Sequence, residues 1–340
     1  MSARPSVSIA LATYNGARFL GEQLASLAAQ TCPPAEVVVC DDGSSDQTMS
    51  ILQSFAVNAP FPVHIHSNTE RLNFGENFLR TALMCRGEYV SFCDQDDVWL
   101  PHKLATVVRA MTTNNASLCG HNALTIDSSG QLLGVFSQHI YHGTVFPPNS
   151  VLPWGVFFGF TTTFRRDLLS IFPIRQRGID YIDPRQQLAH DRWVYFLGST
   201  FGTTVYIPEP LVKYRQHDSN TFGSRRRTFS ARLAAILSIS ARQLSLPAEI
   251  SSGRARLLDD LTSGPLAPLA RDGAAHWKTI AGWCELRMQM VGCTSMRERM
   301  SKLSLLIGTG AYTARPDHRF EFALFCKDVL MALGIAGRGG

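Results

Sequence analysis

The chain has 340 residues, 45% of them hydrophobic and 17% charged, with a formal net charge of +5 at pH 7. That apolar share fills a packed core and excludes a disordered chain, and the length suits one large domain or one domain with an appendage. Eight cysteines without a CxxC pair indicate thiols used as small apolar side chains in a reducing compartment.

The first predicted strand is Val7 to Ala12, which ends in Thr13, Tyr14, Asn15 and Gly16. A helix-like stretch follows, with Phe19, Leu20, Leu24 and Leu27 on one face. Glu36 to Cys40 reads as a second strand, ending in Asp41, Asp42, Gly43, Ser44, Ser45 and Asp46, and the helix after it carries Met49, Ile51, Leu52 and Phe55. The most informative run is the third: Tyr89 to Cys93 reads as a buried strand and runs straight into Asp94, Gln95, Asp96 and Asp97. The repeated strand, loop, helix order predicts an α/β fold with a mostly parallel sheet flanked by helices. Right-handed crossovers then gather the three polar strand ends along one edge, where ligands of open α/β sheets bind. Clustered carboxylates repel one another unless a cation is shared, and a hard divalent metal with oxygen ligands is the natural occupant.

Charge is uneven along the chain. From Thr221 onward there are 17 Lys plus Arg against 9 Asp plus Glu, whereas residues 1–220 carry 15 against 18. Arg225, Arg226 and Arg227 open this basic region, and Phe229 to Leu246 interleaves Leu233, Ile236, Leu237 and Leu244 with Arg232 and Arg242. That pattern suits the surface of an anionic membrane, and equally a helix packed on the catalytic part with its arginines in water. Met300 to Ile307 and Phe320 to Leu333 read as half-apolar helices. The expected organisation is a catalytic domain over residues 1–220 and a basic helical region over 221–340. No stretch approaches the roughly 18 apolar residues of a membrane-spanning helix, and polar residues interrupt any signal-peptide core, so the expected location is the cytoplasm, with contact at the inner face of the plasma membrane.

With TYNG, DDGSSD and DQDD at successive strand ends, the chain resembles the inverting family 2 glycosyltransferases of the GT-A fold. The resemblance runs from Val7 to Asn220. It includes Asn73 to Phe78, Arg86 to Tyr89, Gly159 with Thr161 and Thr162, His190 to Trp193, and Tyr214 to His217. It implies that Thr13, Tyr14, Asn15 and Asp41 hold the nucleotide of an activated sugar, Asp41 accepting from a pyrimidine imide, with Arg71 and Asn77 toward ribose or phosphates. Asp94 is then directed to the ribose and the metal, and Asp96 is the direct ligand of a magnesium or manganese ion, with His217 closing over it. Asp191 matches the family's base, which takes the acceptor's proton. Gly159, Thr161 and Trp193 are expected on the acceptor side. His190 stands where relatives often have a carboxylate, and Phe160 where a small residue is common.

The donor class implied is a nucleoside diphosphate sugar and the acceptor a saccharide or lipid-linked saccharide. No nucleic acid partner is expected. DQDD followed by Val98 and Trp99, with NFGENF upstream, looks most like bacterial enzymes that add rhamnose to surface polysaccharide. Two other readings compete. A nucleotidyltransferase that makes nucleotide sugars also uses a metal and carboxylates, although it wants a Gly-rich basic loop after the first strand. A non-catalytic sugar-binding protein on the same fold is the other. A dinucleotide-binding oxidoreductase and a P-loop NTPase lack their GxGxxG and GxxxxGK signatures at the first strand.

Overall fold

The computed structural model of the chain describes residues 5–138, 145–151, 154, 155, 157–217, 241–313 and 320–335. Contacts divide it into two compact units. The first comprises residues 1–148, 153–177 and 188–223, and the second 149–152, 178–187 and 224–340.

In the first unit the strands are β1 (Val7–Thr13), β2 (Glu36–Asp41), β3 (Val63–Ser67), β4 (Tyr89–Cys93), β5 (Val98–Trp99), β6 (Ala116–Ile126), β7 (Leu132–Phe136), β8 (Val145–Phe146), β9 (Thr163–Arg165) and β10 (Thr203–Arg215). Its helices are α1 (Ala17–Ala28), α2 (Thr48–Asn58), α3 (Asn73–Met84), α4 (Lys103–Thr113) and α5 (His190–Phe201). The strands form one sheet in the order β3-β2-β1-β4-β9-β6-β10-β5, with β7 on β6 and β8 on β10. β3, β2, β1, β4, β6 and β10 all run the same way, and β5, β7, β8 and β9 run against them. The sheet is therefore mostly parallel and flanked by helices, as the alternating pattern implies.

The core follows from that order. Ile9, Leu11, Val37 and Val39 are fully buried, and they pack with Leu20, Leu24 and Leu27 of α1 and Leu52 of α2. Burying each such side chain stabilises the unit by about 1.5–3 kcal/mol before entropy is counted. Helices α1 and α2 carry the chain from β1 outward to β3, and α3 then returns it to β4 on the other side of β1. The strand order reverses between β1 and β4, which opens a crevice at their carboxyl ends. β10 reaches the same place from the far side. Its Val212 and Lys213 pair with Trp99 and Val98 of β5, so its last residues lie beside the acidic run.

The second unit holds α6 (Ala241–Asp259), α7 (Ala267–Gly292), α8 (Met296–Gly308) and α9 (Phe322–Ala332). The half-apolar runs at Met300 and Phe320 fall on α8 and α9. Its core gathers Leu244, Met290, Leu303, Leu306, Tyr312 and Met331. Asp328 is buried there and accepts hydrogen bonds from Arg287 Nε and Tyr312 Oη, both at 2.8 Å. The three consecutive arginines from Arg225 and the stretch from Phe229 to residue 240 lie outside the described residues. No described helix is long and apolar enough to cross a membrane. All eight cysteines are free thiols, six of them buried.

Candidate active site

The crevice at the β1/β4 reversal is a cavity of about 620 Å³ lined by Thr13, Tyr14, Asn15, Asp42, Arg71, Asn77, Asp94, Asp96, Gly159, His190, Asp191 and His217, among others. Residues from across the first 217 positions thus line one cavity. Asp41, Thr161 and Trp193 do not line it.

Each of those three has a different use in the fold. The Asp41 carboxylate accepts from Thr13 Oγ1 at 2.8 Å and Ser44 Oγ at 2.6 Å, and from the Gly43 and Ser44 amides at 3.1 and 2.8 Å. It thereby holds the loop after β2 against the end of β1. Thr161 is buried and donates to the Phe158 carbonyl at 2.8 Å while accepting from Gln138 Nε2 at 3.0 Å. Trp193 is 1% exposed and packs beside Phe196 inside α5.

The neighbouring carboxylate, Asp42, is a site residue that the sequence pattern hides within a turn. It accepts from the backbone amides of Leu72 and Asn73 at 2.7 and 2.8 Å, capping the start of α3, and from Asn68 Nδ2 at 3.0 Å. Asn73 takes a positive φ of 66°, a conformation that asparagine tolerates. Asn77 lines the cavity from α3 while its amide donates to the Cys40 carbonyl at 2.9 Å.

The loop after β1 is tied down on both sides. Asn15 donates its amide to Ser44 Oγ and its side chain accepts from the Ser45 amide, both at 2.8 Å. On the other side Gln95 spans two strand ends: Tyr14 N donates to Gln95 Oε1 at 2.9 Å, and Gln95 Nε2 donates to the Tyr14 carbonyl at 3.1 Å. A side chain thus continues the β1–β4 ladder past its last residue. A Cβ on Gly16 would stand 2.2 Å from Gln95 Oε1, so a larger residue there would push the Gln95 side chain off this ladder. At the rim, the Arg71 guanidinium lies 3.9 Å above the Tyr14 ring, forming a flat cationic and aromatic ledge.

Below the ledge sit the carboxylates. Ligand atoms of Asp94, Asp96 and Asp97 all lie within 4.8 Å of one another. Burial, then the charges of Asp96 and Asp191, push the Asp94 carboxyl up to about 7. Burial and the same crowding push Asp97 well above the usual carboxylate range. Beneath them Lys103 is fully buried, its Nζ 2.8 Å from the Phe160 carbonyl and 3.6 Å from the Trp99 ring centre, and burial lowers its ammonium to about 7. His217 Nε2 is 2.8 Å from Asp96 Oδ2. The donor set, oxygen-rich with one imidazole and short of positive charge, fits a hard divalent cation.

Asp191 stands in the first turn of α5, next to His190, and lines the same cavity. His190 is stacked on Phe78 at 4.3 Å and meets Phe92 edge-on at 4.7 Å. Neither ring nitrogen has a hydrogen-bond partner among the described residues, and burial first, then the charges of Arg192 and Arg177, lower it to about 3. It is a neutral ring. Gly159 faces it so closely that a Cβ would stand 2.6 Å from its Nε2.

Comparison with known proteins agrees with this geometry. Residues 8–170 match the family described as "Glycosyl transferase family 2". That match spans 163 of the 340 residues, just under half of the chain. It is 27% identical over 225 residues to a protein of Shigella flexneri named dTDP-rhamnosyl transferase RfbG, covering 63% of this chain and 74% of that one. It is likewise 27% identical over 223 residues to an uncharacterized glycosyltransferase of Nostoc sp., covering 63% of this chain and 66%, just under two thirds, of that protein. The crystal structure of S. aureus TarS 1-349 in complex with UDP-GlcNAc shares the fold at a TM-score of 0.54 and 14% identity, over 97% of this chain and 92% of that chain. The protein is a glycosyltransferase with a GT-A fold, and Thr13 to Gly16 and Asp94 to Asp96, on which the resemblance rests, line its cavity.

Proposed function

We propose that this glycosyltransferase moves a sugar from a nucleoside diphosphate sugar to a saccharide or lipid-linked acceptor with inversion, using magnesium or manganese, in the assembly of cell-surface polysaccharide. The single observation that carries the reading is the shared cavity, which Asp94, Asp96 and His217 line together with Tyr14, Arg71, Asp191 and Gly159. In this reading Tyr14 and Arg71 receive the flat base, with Thr13, Asn15, Asn77 and Asp41 shaping the pocket behind them. Asp94, Asp96 and His217 hold the cation. Such a cation, when bound, supplies positive charge to the departing diphosphate. Asp191 takes the proton of the acceptor hydroxyl at its carboxylate as that oxygen attacks the anomeric carbon, so the bond to the diphosphate breaks on the opposite face. Thr161 and Trp193 support the acceptor side from within the fold. Residues 1–220 form the catalytic domain and 221–340 a basic helical region.

The rhamnosyl transferase among the relatives and the DQDD-Val-Trp run favour dTDP-rhamnose as donor. A thermal-shift and turnover panel of dTDP-rhamnose, UDP-glucose, UDP-galactose and UDP-GlcNAc, each with and without Mn2+, tests this. Faster turnover of any UDP-sugar overturns the donor, and equal turnover in EDTA overturns the metal. The surplus of basic residues after Thr221 supports contact with an anionic membrane at the inner face of the plasma membrane. Flotation of the full chain with phosphatidylglycerol vesicles is the expected result, and recovery in the unbound fraction at low salt removes that part.

A further inference from the structure

Arg215 is 2% exposed and none of the roles above uses it. Its backbone amide donates to Asp97 Oδ1 at 3.0 Å, and its Nε donates to the Asp96 carbonyl at 2.9 Å. Nη1 points at the carbonyls of Asp127 and Ser128 in the β6–β7 turn, at 3.4 and 3.5 Å, and Nη2 pairs with the Glu22 carboxylate of α1. The guanidinium also lies 4.7 Å above the Phe19 ring, whose centre is 5.1 Å from that of His217. One planar group therefore ties the acidic run to α1, to the β6–β7 hairpin and to the end of β10.

The direction of these bonds matters. A buried arginine beside a cluster of aspartates would ordinarily form a bidentate pair with one of them. Among the described residues the fork is spent on the main chain of Asp96, on the β6–β7 turn and on Glu22, and Arg215 takes one side-chain oxygen of the cluster, that of Asp97, through its backbone amide. The carboxylates of Asp94 and Asp96 are left facing the cavity, with a fixed positive charge behind them.

We propose that Arg215 is the positioning residue of the metal-binding loop, holding Asp96 and Asp97 in register for a divalent cation without consuming the oxygens that bind it. The inference rests on the metal-dependent reading above. Lysine keeps the charge but has no planar fork and cannot reach three elements at once.

The test is Mn2+ binding to the full chain, followed by electron paramagnetic resonance of the free ion, beside the melting temperature in EDTA. For Arg215→Lys the Mn2+ dissociation constant is expected to rise about 10- to 100-fold, as for other outer partners of metal ligands. Glu22→Ala lies at a half-exposed surface position, loosens only Nη2, and serves should the first variant fail to fold; a smaller rise of about threefold is expected. A lowered melting temperature with an unchanged dissociation constant in both variants would make Arg215 merely structural and overturn the inference. Absence of Mn2+ binding by the unaltered protein would instead overturn the metal-dependent reading, and this inference with it.

Discussion

Asp94→Asn is expected to make the metal-free protein more stable while abolishing metal-assisted donor binding. Its carboxyl is pushed from an ordinary 3.8 to about 7 by burial and by Asp96 and Asp191. A difference of about 3 units at roughly 1.4 kcal/mol each means that ionising it in the folded state costs about 4 kcal/mol relative to the unfolded chain. Because the folded-state value is the raised one, the folded protein binds this proton more tightly. The associated stability is complete below about pH 4 and is lost as pH rises to about 7. The amide carries no such charge. Its stabilising effect should therefore grow from about 2 kcal/mol at pH 5 to about 4 kcal/mol at pH 8, a rise in melting temperature of roughly 8–16 °C at the higher pH for a unit of this size. Calorimetry in EDTA at both pH values, with Mn2+ added in a second series, reads the effect. Equal melting temperatures at pH 8, or a gain that does not change between pH 5 and 8, would falsify the idea that crowded carboxylates destabilise the protein in EDTA.

Two further substitutions separate the roles of other residues of the cavity. Asp191→Asn should lower kcat by about 10²–10⁴-fold with nucleotide affinity unchanged, because only proton transfer from the acceptor is lost; single-turnover kinetics with a saturating donor decide it, and near-normal turnover removes Asp191 as the base. Gly159→Ala adds a Cβ 2.6 Å from His190 Nε2, and His190 cannot withdraw while stacked on Phe78 at 4.3 Å. The overpacking should cost about 1–3 kcal/mol of stability and displace Asp191 beside it, with kcat/KM falling at least about tenfold; a variant with wild-type melting temperature and kcat/KM contradicts the tight packing seen here.

Local patterning was enough to read the sheet-forming half of this protein. Apolar runs of five or six residues, each ending in a polar cluster, specify β1, β2 and β4 almost to the residue, and the residues at helical spacing after the first two place α1 and α2 there, since period and burial are written in the same few side chains. The residues of TYNG and DQDD that line the cavity were legible for the same reason: a strand's carboxyl end in a parallel sheet faces one edge, wherever the strand lies in the chain. Which of two adjacent carboxylates faces the cavity was not legible. Asp41 and Asp42 have the same chemistry, and only the hydrogen bonds of the folded loops turn the first toward Ser44 and the second toward the start of α3. Trp193 and Thr161 look alike to a pattern whether they face a pocket or a core, and in the fold both are buried.

What the order of residues determined by itself was the identity of the chemical groups and the edge of the sheet on which they gather. What only the tertiary structure decided was how each group is held: Gln95 extending a ladder from Tyr14, Lys103 fixed on the Phe160 carbonyl, and Arg215 reaching three segments besides its own. Those partners are separated by tens to almost two hundred positions, and nothing local in a chain encodes a contact that forms only when distant strands close on one another.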